Sequence, residues 1–599
     1  MSKRFSDRII DYKGPNPFCD SQARNFSDIK VSKEFYPISS FWSLFNDQHE
    51  VLLGTRGCGK TFLLKMMRYS MLKKIMEPQA EKLVSSKEYI GVYVPMHLEF
   101  VAQFNNNDLS EDLQIILYQI AFNCLLAEAL LVELESLLEE EKDDIKRVRK
   151  MASLVRNLDE IWFNVDKSEI YELGVLRKKI SKVFYNIDWK SPVLESIPNI
   201  FKRQICSILA SVKTEIAQVM DWREEPTWIV CIDEAEFLST ISQKCINTLF
   251  RSDTNRIALK IATLPYFHKT LETLDKNISV VNGNDFSYRV VDMDYNSSDF
   301  ISLTNALCEH RLKMRFDSDF NCSTLEDFLG TIGKDDQIDY YRNEVGEEKA
   351  TREYIENSII NEFPERRKKN AGGYANRRKT VYDKYAPIYF VRQMYALSQV
   401  GNNKPGWYAG AQIIRKISQG NPRLFIQLMN ELFEKARKSK LEAKRQSEVV
   451  LRFSKNFCKS TKALEGQGPI IDQELEKIAK HLQYKTHEEE LKSIGCAFVL
   501  KYKNDEELEK CKEWLHLAIA YSRIIVTDEV KINDIIEDTK FLLANTYAAE
   551  YWLPMRADAP QKISIADDYK NSYYVKRNSE VEQDEEVYQL SLFEEVNEW

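Results

Sequence analysis

The segment GTRGCGKT at residues 54–61 is the feature that most constrains this 599-residue chain. It satisfies the spacing G-x-x-x-x-G-K-[ST], with the apolar run VLL before it and FLLKMM after it. The pattern predicts a buried strand, a glycine-rich loop and a helix, which is the order of elements in a P-loop. A glycine turn that binds nothing is the competing interpretation, and the flanking strand and helix weigh against it.

The loop's residues match the chemistry of a nucleotide phosphate site. Glycines let the backbone curl so that its amides point at phosphate oxygens, and the helix N-terminus adds a favourable dipole. We predict that Lys60 reaches the β- and γ-phosphates of ATP and that Thr61 ligates Mg²⁺. The predicted nucleotide-binding residues are Gly54, Thr55, Arg56, Gly57, Cys58, Gly59, Lys60, Thr61 and Phe62.

The segment TWIVCIDEAEFLS, residues 227–239, supplies the acidic side chains that a P-loop needs. Its apolar run predicts a buried strand that ends at Asp233 and Glu234. We predict that Asp233 holds Mg²⁺ through water, and that Glu234 orients or deprotonates the attacking water. Glu236 is the less favoured alternative base. Together with the P-loop, this pattern predicts an enzyme that binds and hydrolyses ATP, with Mg²⁺ as cofactor.

Two further residues fall where a γ-phosphate can be sensed. The segment RIALKIATLPYF, residues 256–267, predicts a buried strand ending in Thr263, although a core strand can end in threonine without such a role. The segment AQIIRKISQGNPRLFIQLMNELFEKARK, residues 411–438, predicts two helices separated by Gly-Asn-Pro, with Arg423 opening the second. Arg423 can reach into a nucleotide cleft; the alternative is a solvated residue at an interhelical turn.

This order of elements, with a further strand YIGVYVPM at residues 89–96, resembles the AAA+ ATPases of the ORC/Cdc6 type and their relatives among the STAND NTPases. The resemblance implies an α/β P-loop core with a parallel sheet and a helical lid, in which Thr263 is sensor 1 and Arg423 is sensor 2. It covers about residues 30–310 and 405–440. The opening NPFCDSQARNFSD also resembles bacterial ORC/Cdc6-like ATPases, several of which occur in mobile-element or phage-defence settings.

Size and composition predict an intracellular protein of several domains. A chain of 599 residues with 44% hydrophobic and 29% charged residues is typical of a helix-rich globular protein of two to four domains. The eleven cysteines and seven histidines are dispersed and form no predicted metal or catalytic cluster. We find no signal peptide and no apolar run near the length of a membrane helix, and therefore expect a cytoplasmic protein with no membrane partner. The net charge of −8 argues against nonspecific coating of nucleic acid.

The chain is predicted to contain five parts: an ATPase core at 1–310, an insertion with a basic loop at 311–404, a helical lid at 405–464, a mixed α/β C-terminal domain at 465–575 and an acidic tail at 576–599. Within the core, a helical insertion at about 106–221 forms either a partner-binding coiled coil or, as we favour, a packed helical subdomain.

In the C-terminal domain, the segments CAFVLKYK, RIIVTDEVK and KISIA predict short strands. The family resemblance places a winged-helix DNA-binding domain there, but no strongly basic recognition helix is seen. A protein-binding or autoinhibitory domain fits equally well.

An arginine finger for a shared active site is not evident. Between Thr263 and the next strand the chain carries Lys269 and Lys276 but no arginine. One of Arg251, Arg256 and Arg289 would have to substitute, so assembly as a homo-oligomer with shared sites stays open.

The most basic segment is ERRKKNAGGYANRRKTVYDK, residues 365–384. Glycines, paired cations and an aromatic ring suit a loop that follows a phosphate backbone and stacks a base. The alternative is a solvated surface loop. The residues predicted to contact DNA are Arg366, Arg367, Lys368, Lys369, Tyr374, Arg377, Arg378 and Lys379.

The acidic tail contains QLSLF at residues 589–593, which resembles the peptide by which bacterial polymerases and repair proteins bind the sliding clamp. Leu592 and Phe593 would fill an apolar pocket, while Gln589 supplies a directional hydrogen bond and Leu590 lies in the extended backbone between them. The alternative is a tail that packs back on the protein through the same apolar residues.

Three functions follow from these features. The leading hypothesis is an ORC/Cdc6-like ATPase that switches conformation on DNA or at a replication fork, in phage defence or mobile-element control. The second is a nucleotide-gated, STAND-like sensor or scaffold that recruits a separate effector protein. The third is a target-selecting ATPase of a transposition system. No nuclease, protease or deaminase constellation is evident, so any effector chemistry would come from another protein.

Overall fold

The structure, a computed structural model, describes residues 9–10, 13–20, 26–97, 101, 109–185, 187, 193–252, 255–313, 324–330, 341–342, 344–361, 374–400, 406–489, 494–556 and 560–564. Some of the predicted contact residues lie outside these ranges, namely Arg366, Arg367, Lys368 and Lys369 of the basic segment and Gln589, Leu590, Leu592 and Phe593 of the tail.

A parallel sheet of five strands forms the first half of the molecule, in the order β2-β3-β4-β1-β5. The internal strands β3 and β4 are buried along their whole length, which explains why both are mostly apolar. The buried Lys260 of β4 is an exception, and it pairs with Glu50 of β1 at 2.8 Å. The predicted strands are confirmed, and the α/β P-loop fold class with them. The strands are β1 Glu50–Leu53, β2 Tyr89–Pro95, β3 Thr227–Asp233, β4 Ile257–Thr263 and β5 Ser287–Val290.

Helices cover both faces of this sheet. The helices of the insertion between β2 and β3 pack on the sheet through a core shared with the strands. The helices up to β4 are α1 Asp28–Glu34, α2 Ser39–Trp42, α3 Lys60–Met66, α4 Tyr69–Leu72, α5 Pro78–Ser86, α6 Glu111–Leu138, α7 Asp144–Phe163, α8 Leu173–Tyr185, α9 Ser207–Ala210, α10 Lys213–Val219 and α11 Thr240–Phe250.

Helix α6 corrects one expectation. It is long and apolar enough to cross a membrane by length and composition, whereas no such run was expected from the sequence. However, 67% of its most apolar window is buried inside the protein. Sixteen of its residues, including Leu117, Leu130 and Leu134, are buried, which is the behaviour of a central core helix.

After β5 the chain forms helices α12 Ser298–Lys313, α13 Leu325–Leu329, α14 Arg352–Asn361 and α15 Tyr374–Gln399. Tyr374, Arg377, Arg378 and Lys379 therefore lie in a helix, and the prediction that they form a loop is wrong. The physical reason is that no glycine or proline occurs in residues 374–379, so nothing interrupts a helix once it has started.

The lid and the C-terminal unit share one hydrophobic core. The break at Gly420, Asn421 and Pro422 separates two lid helices as predicted. The elements are α16 Ala411–Ser418, α17 Pro422–Ala436, α18 Ala443–Ser460, α19 Gly468–His487, β6 Ala497–Lys501, α20 Asp505–Ala520, β7 Ile524–Ile525, α21 Asp528–Ile532, β8 Lys540–Leu543, α22 Asn545–Glu550 and β9 Gln561–Ser564.

The C-terminal unit is mixed α/β, with a four-stranded sheet in the order β7-β8-β6-β9. The segment RIIVTDEVK is only partly a strand: β7 has two residues, and helix α21 begins at Asp528. Between β6 and β7 the chain forms one helix, α20, whereas a helix-turn-helix needs two successive helices. The residues from β6 to β7, all of which the structure describes, therefore form no helix-turn-helix by themselves.

Candidate nucleotide-binding site

The glycine-rich loop leads from β1 into α3 at the carboxyl end of the parallel sheet. Gly57 and Gly59 adopt φ of 95° and 106°, a region that side chains with a Cβ rarely enter. Gly59 is the N-cap of α3. The amides of the first helical turn, which have no partner within the helix, are thereby directed at the place where phosphates bind.

The Lys60 side chain lies inside the loop and bonds to its backbone. Its ammonium donates to the carbonyl oxygens of Gly54 at 2.6 Å and Thr55 at 3.2 Å. The Cys58 sulfur lies 3.8 Å from the same ammonium. Burial raises the pKa of the Cys58 thiol to about 11, so this cysteine stays a neutral packing residue.

Asp233 and Thr61 meet where a phosphate-bound cation would lie. The hydroxyl of Thr61 is hydrogen-bonded to the Asp233 carboxylate, which also accepts from the Tyr93 hydroxyl at 2.8 Å. Burial raises the pKa of Asp233, and a nearby cation would favour its ionised form. Hard oxygen donors in this number fit Mg²⁺, which takes one or two protein oxygens and completes its shell with phosphates and water.

No cluster of three or more His, Cys, Asp or Glu that could hold a metal occurs within the described ranges. A resident metal centre built from protein ligands alone is therefore not indicated there, and the Thr61–Asp233 pair fits a cation that arrives with a nucleotide.

Glu234 follows Asp233 in a left-handed conformation, with φ of 59°. Its side chain is 18% exposed. His97, just beyond β2, lies 3.3 Å from the Glu234 carboxylate through Nδ1. This hydrogen bond raises the pKa of His97. The sequence analysis missed His97, since only the pairing of β2 with β3 brings the two residues together.

Glu236, the alternative base, is also close to the site. Burial raises its pKa, and the charges that act on it include those of Lys60 and Asp233. Its Oε2 atom is buried with no hydrogen-bond partner among the described residues. Both carboxylates therefore stay candidates for the base.

Thr263 ends β4 beside the P-loop strand. It pairs in register with Leu53, and its carbonyl accepts from the Gly54 amide at 3.4 Å. Its hydroxyl is buried and, within the described part of the chain, has no hydrogen-bond partner. A buried, unsatisfied hydroxyl at this position is available to a phosphate or its attacking water.

The start of lid helix α17 packs directly on the P-loop. The Arg423 amide donates to the Gly57 carbonyl at 3.3 Å, and the Asn421 side chain donates to the Arg56 carbonyl at 3.0 Å. Asn421 also caps α17, because its Oδ1 accepts from the amides of Arg423 and Leu424. The backbone at Arg423 therefore lies against the P-loop, and a role for its side chain as sensor 2 stays a prediction.

A family model described as ORC-CDC6-like matches residues 16–564. The chain belongs to the ORC-CDC6-like family. This family places the chain among the AAA+ type P-loop ATPases, and it implies nucleotide binding with the usual Mg²⁺. No curated protein matches the chain.

The ORC-CDC6-like chain contains a second set of P-loop contacts that the sequence did not reveal. Thr55 donates its amide and its hydroxyl to Asp292, just after β5, at 3.0 and 2.7 Å. Arg56 donates its amide to the carbonyl of Ala520, at the end of α20, at 2.7 Å. The C-terminal unit therefore touches the nucleotide loop, and only the three-dimensional arrangement could show it, because the contacting residues are far apart in sequence.

The three arginines considered as fingers have different surroundings. Arg289 donates to the buried Glu50 at 3.0 Å, and Arg251 pairs with Asp285 at 3.0 Å. Arg256 is exposed before β4, at the end of the strand opposite the nucleotide site. An ORC-CDC6-like ring with shared sites stays a prediction.

Replacing Gly57 by alanine is expected to destabilise the protein by about 1 to 3 kcal/mol. A Cβ at Gly57 would lie 2.7 Å from Arg423 Cβ and 2.8 Å from Asn421 Oδ1, so the lid helix would have to move. Thermal unfolding without nucleotide measures the effect. Gly59→Ala is the matched control, because it has the same backbone strain but no atom within 4 Å of its Cβ. Equal losses in the two variants would show that the lid contact contributes nothing.

Proposed function

We propose that the protein is a cytoplasmic ATP-hydrolysing switch that acts on DNA or at a replication fork, in bacterial phage defence or mobile-element control. The observation that carries the proposal is the contact between lid and loop: Arg423 and Asn421 bond to Gly57 and Arg56. The lid shares a hydrophobic core with the C-terminal unit. A nucleotide held between the P-loop and the lid is therefore positioned to move that unit. This arrangement suits control of an assembly better than small-molecule chemistry.

The residues divide the work of hydrolysis. Lys60 and the loop amides bind the phosphates, and Thr61 with Asp233 would hold Mg²⁺, which neutralises charge on the phosphates. Glu234 is the proposed base that orients or deprotonates water. Thr263, from the core, and Arg423, from the lid, would sense the γ-phosphate, so its loss would change how the lid is held.

The proposed partners are supported by sequence. Residues 366–379 are the proposed DNA contact, and the tail peptide at residues 589–593 is the proposed contact with a sliding clamp. A separate effector protein and a homo-oligomer are also proposed partners.

The alternative function is a nucleotide-gated scaffold or sensor, and the contact of the C-terminal unit with the P-loop favours it specifically. A transposition target-selection ATPase shares the lid motif and would require assembly on DNA.

Steady-state ATP hydrolysis by the purified protein, alone and with duplex or single-stranded DNA, tests the proposal. We expect hydrolysis that DNA stimulates several-fold, with Lys60→Ala as the blank. Hydrolysis that DNA leaves unchanged, together with intact ATP binding, would favour the scaffold. No binding of ATP by the wild-type protein would overturn both.

A further inference from the structure

Asp292 places a negative charge directly at a loop that has to receive a polyanion. Its carboxylate accepts from the Thr55 amide at 3.0 and 3.2 Å and from the Thr55 hydroxyl at 2.7 Å. The side chain is 14% exposed. An ionised carboxylate in this position repels the phosphates of a nucleotide, because low local dielectric weakens the screening between the two charges.

The neutralising charge comes from the C-terminal unit. Lys531 of helix α21 lies 2.8 Å from Asp292 Oδ2, and its side chain is 8% exposed. Asp528, the other carboxylate near Lys531, is 3.8 Å away and 71% exposed. Lys531 is therefore chiefly the partner of Asp292, and the pair joins an element of the nucleotide core to an element more than two hundred residues later.

The segment that carries Lys531 is held firmly against the core. Arg56 contacts it twice: its amide donates to the Ala520 carbonyl at 2.7 Å, and its guanidinium donates to the Tyr521 hydroxyl at 2.8 Å. On the far side of α21, the Tyr266 hydroxyl donates to the Val530 carbonyl at 2.8 Å. The Tyr266 ring stacks on His516 of α20 at 4.0 Å between centroids. Lys531 thus belongs to a surface of the C-terminal unit that contacts the loops after β1, β4 and β5.

The turn between α20 and β7 is joined to the lid through Arg523. Arg523 is buried, and it donates to the hydroxyls of Thr461 and Ser460 and to the Tyr521 carbonyl. Its guanidinium lies 3.5 Å from the centre of the Phe457 ring. Lid helix α18 carries Ser460 and Phe457, so these contacts join the turn to the lid.

We propose that Lys531 is a positioning residue that completes the ATP site by neutralising Asp292 behind the P-loop, so that the loop binds ATP tightly only while the C-terminal unit is docked. This inference rests on the proposed ATP binding. By thermodynamic reciprocity, ATP must then stabilise the docked arrangement by the same factor. The position of the C-terminal unit would therefore depend on whether the loop holds a nucleotide, as the position of the lid would through Arg423.

The pH dependence of binding separates this electrostatic role from a packing role. The charged and titratable groups that face Asp292 are Lys531 from α21 and Lys60 and Cys58 from the P-loop. Burial by itself raises the pKa of Asp292, but Lys531 and the hydrogen bond from Thr55 hold it below its usual value. Removing Lys531 takes away the main cause that lowers the pKa of Asp292, so the pKa rises, and protonation of Asp292 at lower pH then removes the repulsion.

The experiment is ATP binding by calorimetry with the full chain, for wild type and Lys531→Met, from about pH 8 to about pH 6. We expect the dissociation constant of Lys531→Met to exceed that of wild type by about tenfold at the upper pH. The ratio of the two constants is expected to fall towards one as the pH is lowered. A ratio of one at every pH overturns the inference, and a large ratio independent of pH assigns Lys531 a packing role and overturns it as well.

Three variants complete the test. Lys531→Arg is expected to bind like wild type, because it keeps the charge. Lys540→Met, which removes an exposed lysine of the same unit on β8, is the matched control and should also bind like wild type. Should Lys531→Met not fold, the double variant Asp292→Asn with Lys531→Met removes both charges of the pair and retains an acceptor for Thr55. Near wild-type affinity in the double variant supports the inference, and tenfold weaker binding overturns it. Wild type that binds no ATP would instead overturn the proposed function.

Discussion

Lys60→Ala is expected to weaken ATP binding by about 100-fold or more, since it removes charge-assisted hydrogen bonds worth about 1.5 to 3 kcal/mol each. Lys60 is 8% exposed and already lies inside the loop, where it donates to Gly54 and Thr55. On nucleotide binding these two carbonyl bonds are exchanged for bonds to phosphate oxygens. Alanine offers neither the charge nor the reach, and calorimetric titration with ATP measures the difference.

The control for Lys60→Ala is Lys82→Ala, which removes an exposed lysine from α5. It changes the net charge equally, so any general effect of charge on a polyanionic ligand appears in both variants. The thermal stability of Lys60→Ala without nucleotide must also be checked. Equal affinity for ATP in wild type and Lys60→Ala would show that the loop does not bind phosphates in the expected way.

Local sequence patterns were sufficient to predict the strands and helices that form the front of the site. The apolar runs that lead into Gly54, Asp233 and Thr263 became β1, β3 and β4, because a strand buried on both faces is mostly apolar. The Gly-Asn-Pro break was predictable for a local reason as well, since asparagine caps a helix and proline fits its first turn.

Contacts between distant segments could not be predicted in this way. His97 and Lys531 look like ordinary surface residues in the sequence, and nothing in their neighbourhood indicates Glu234 or Asp292 as partner. The spacing of apolar residues along a segment identifies its buried face but not the element that covers that face. The segment around β7 was predicted less well. Its β-branched run predicted a longer strand, but a helix begins at Asp528, because the N-cap Thr527 and the acidic first turn favour a helix start.

Glu234→Gln is expected to leave ATP binding within a few-fold of wild type and to slow hydrolysis by about 100-fold to 10,000-fold, the usual contribution of a general base. Glutamine has the same shape and retains an oxygen that can bond to His97, so the left-handed turn at residue 234 is kept. It cannot accept a proton from water. Single-turnover hydrolysis, measured with the enzyme in excess over ATP, separates the chemical step from binding and product release.

Glu236→Gln is the variant that decides between the two candidate bases. The Glu236 carboxylate is buried, and burial raises its pKa, so a larger share of it is protonated and unable to act as a base. Glu234 contacts His97, and 18% of its side chain is exposed to solvent. We therefore expect Glu236→Gln to retain hydrolysis within about tenfold of wild type. If Glu236→Gln stalled hydrolysis while Glu234→Gln did not, the base would be Glu236, and the contact with His97 would have no part in catalysis.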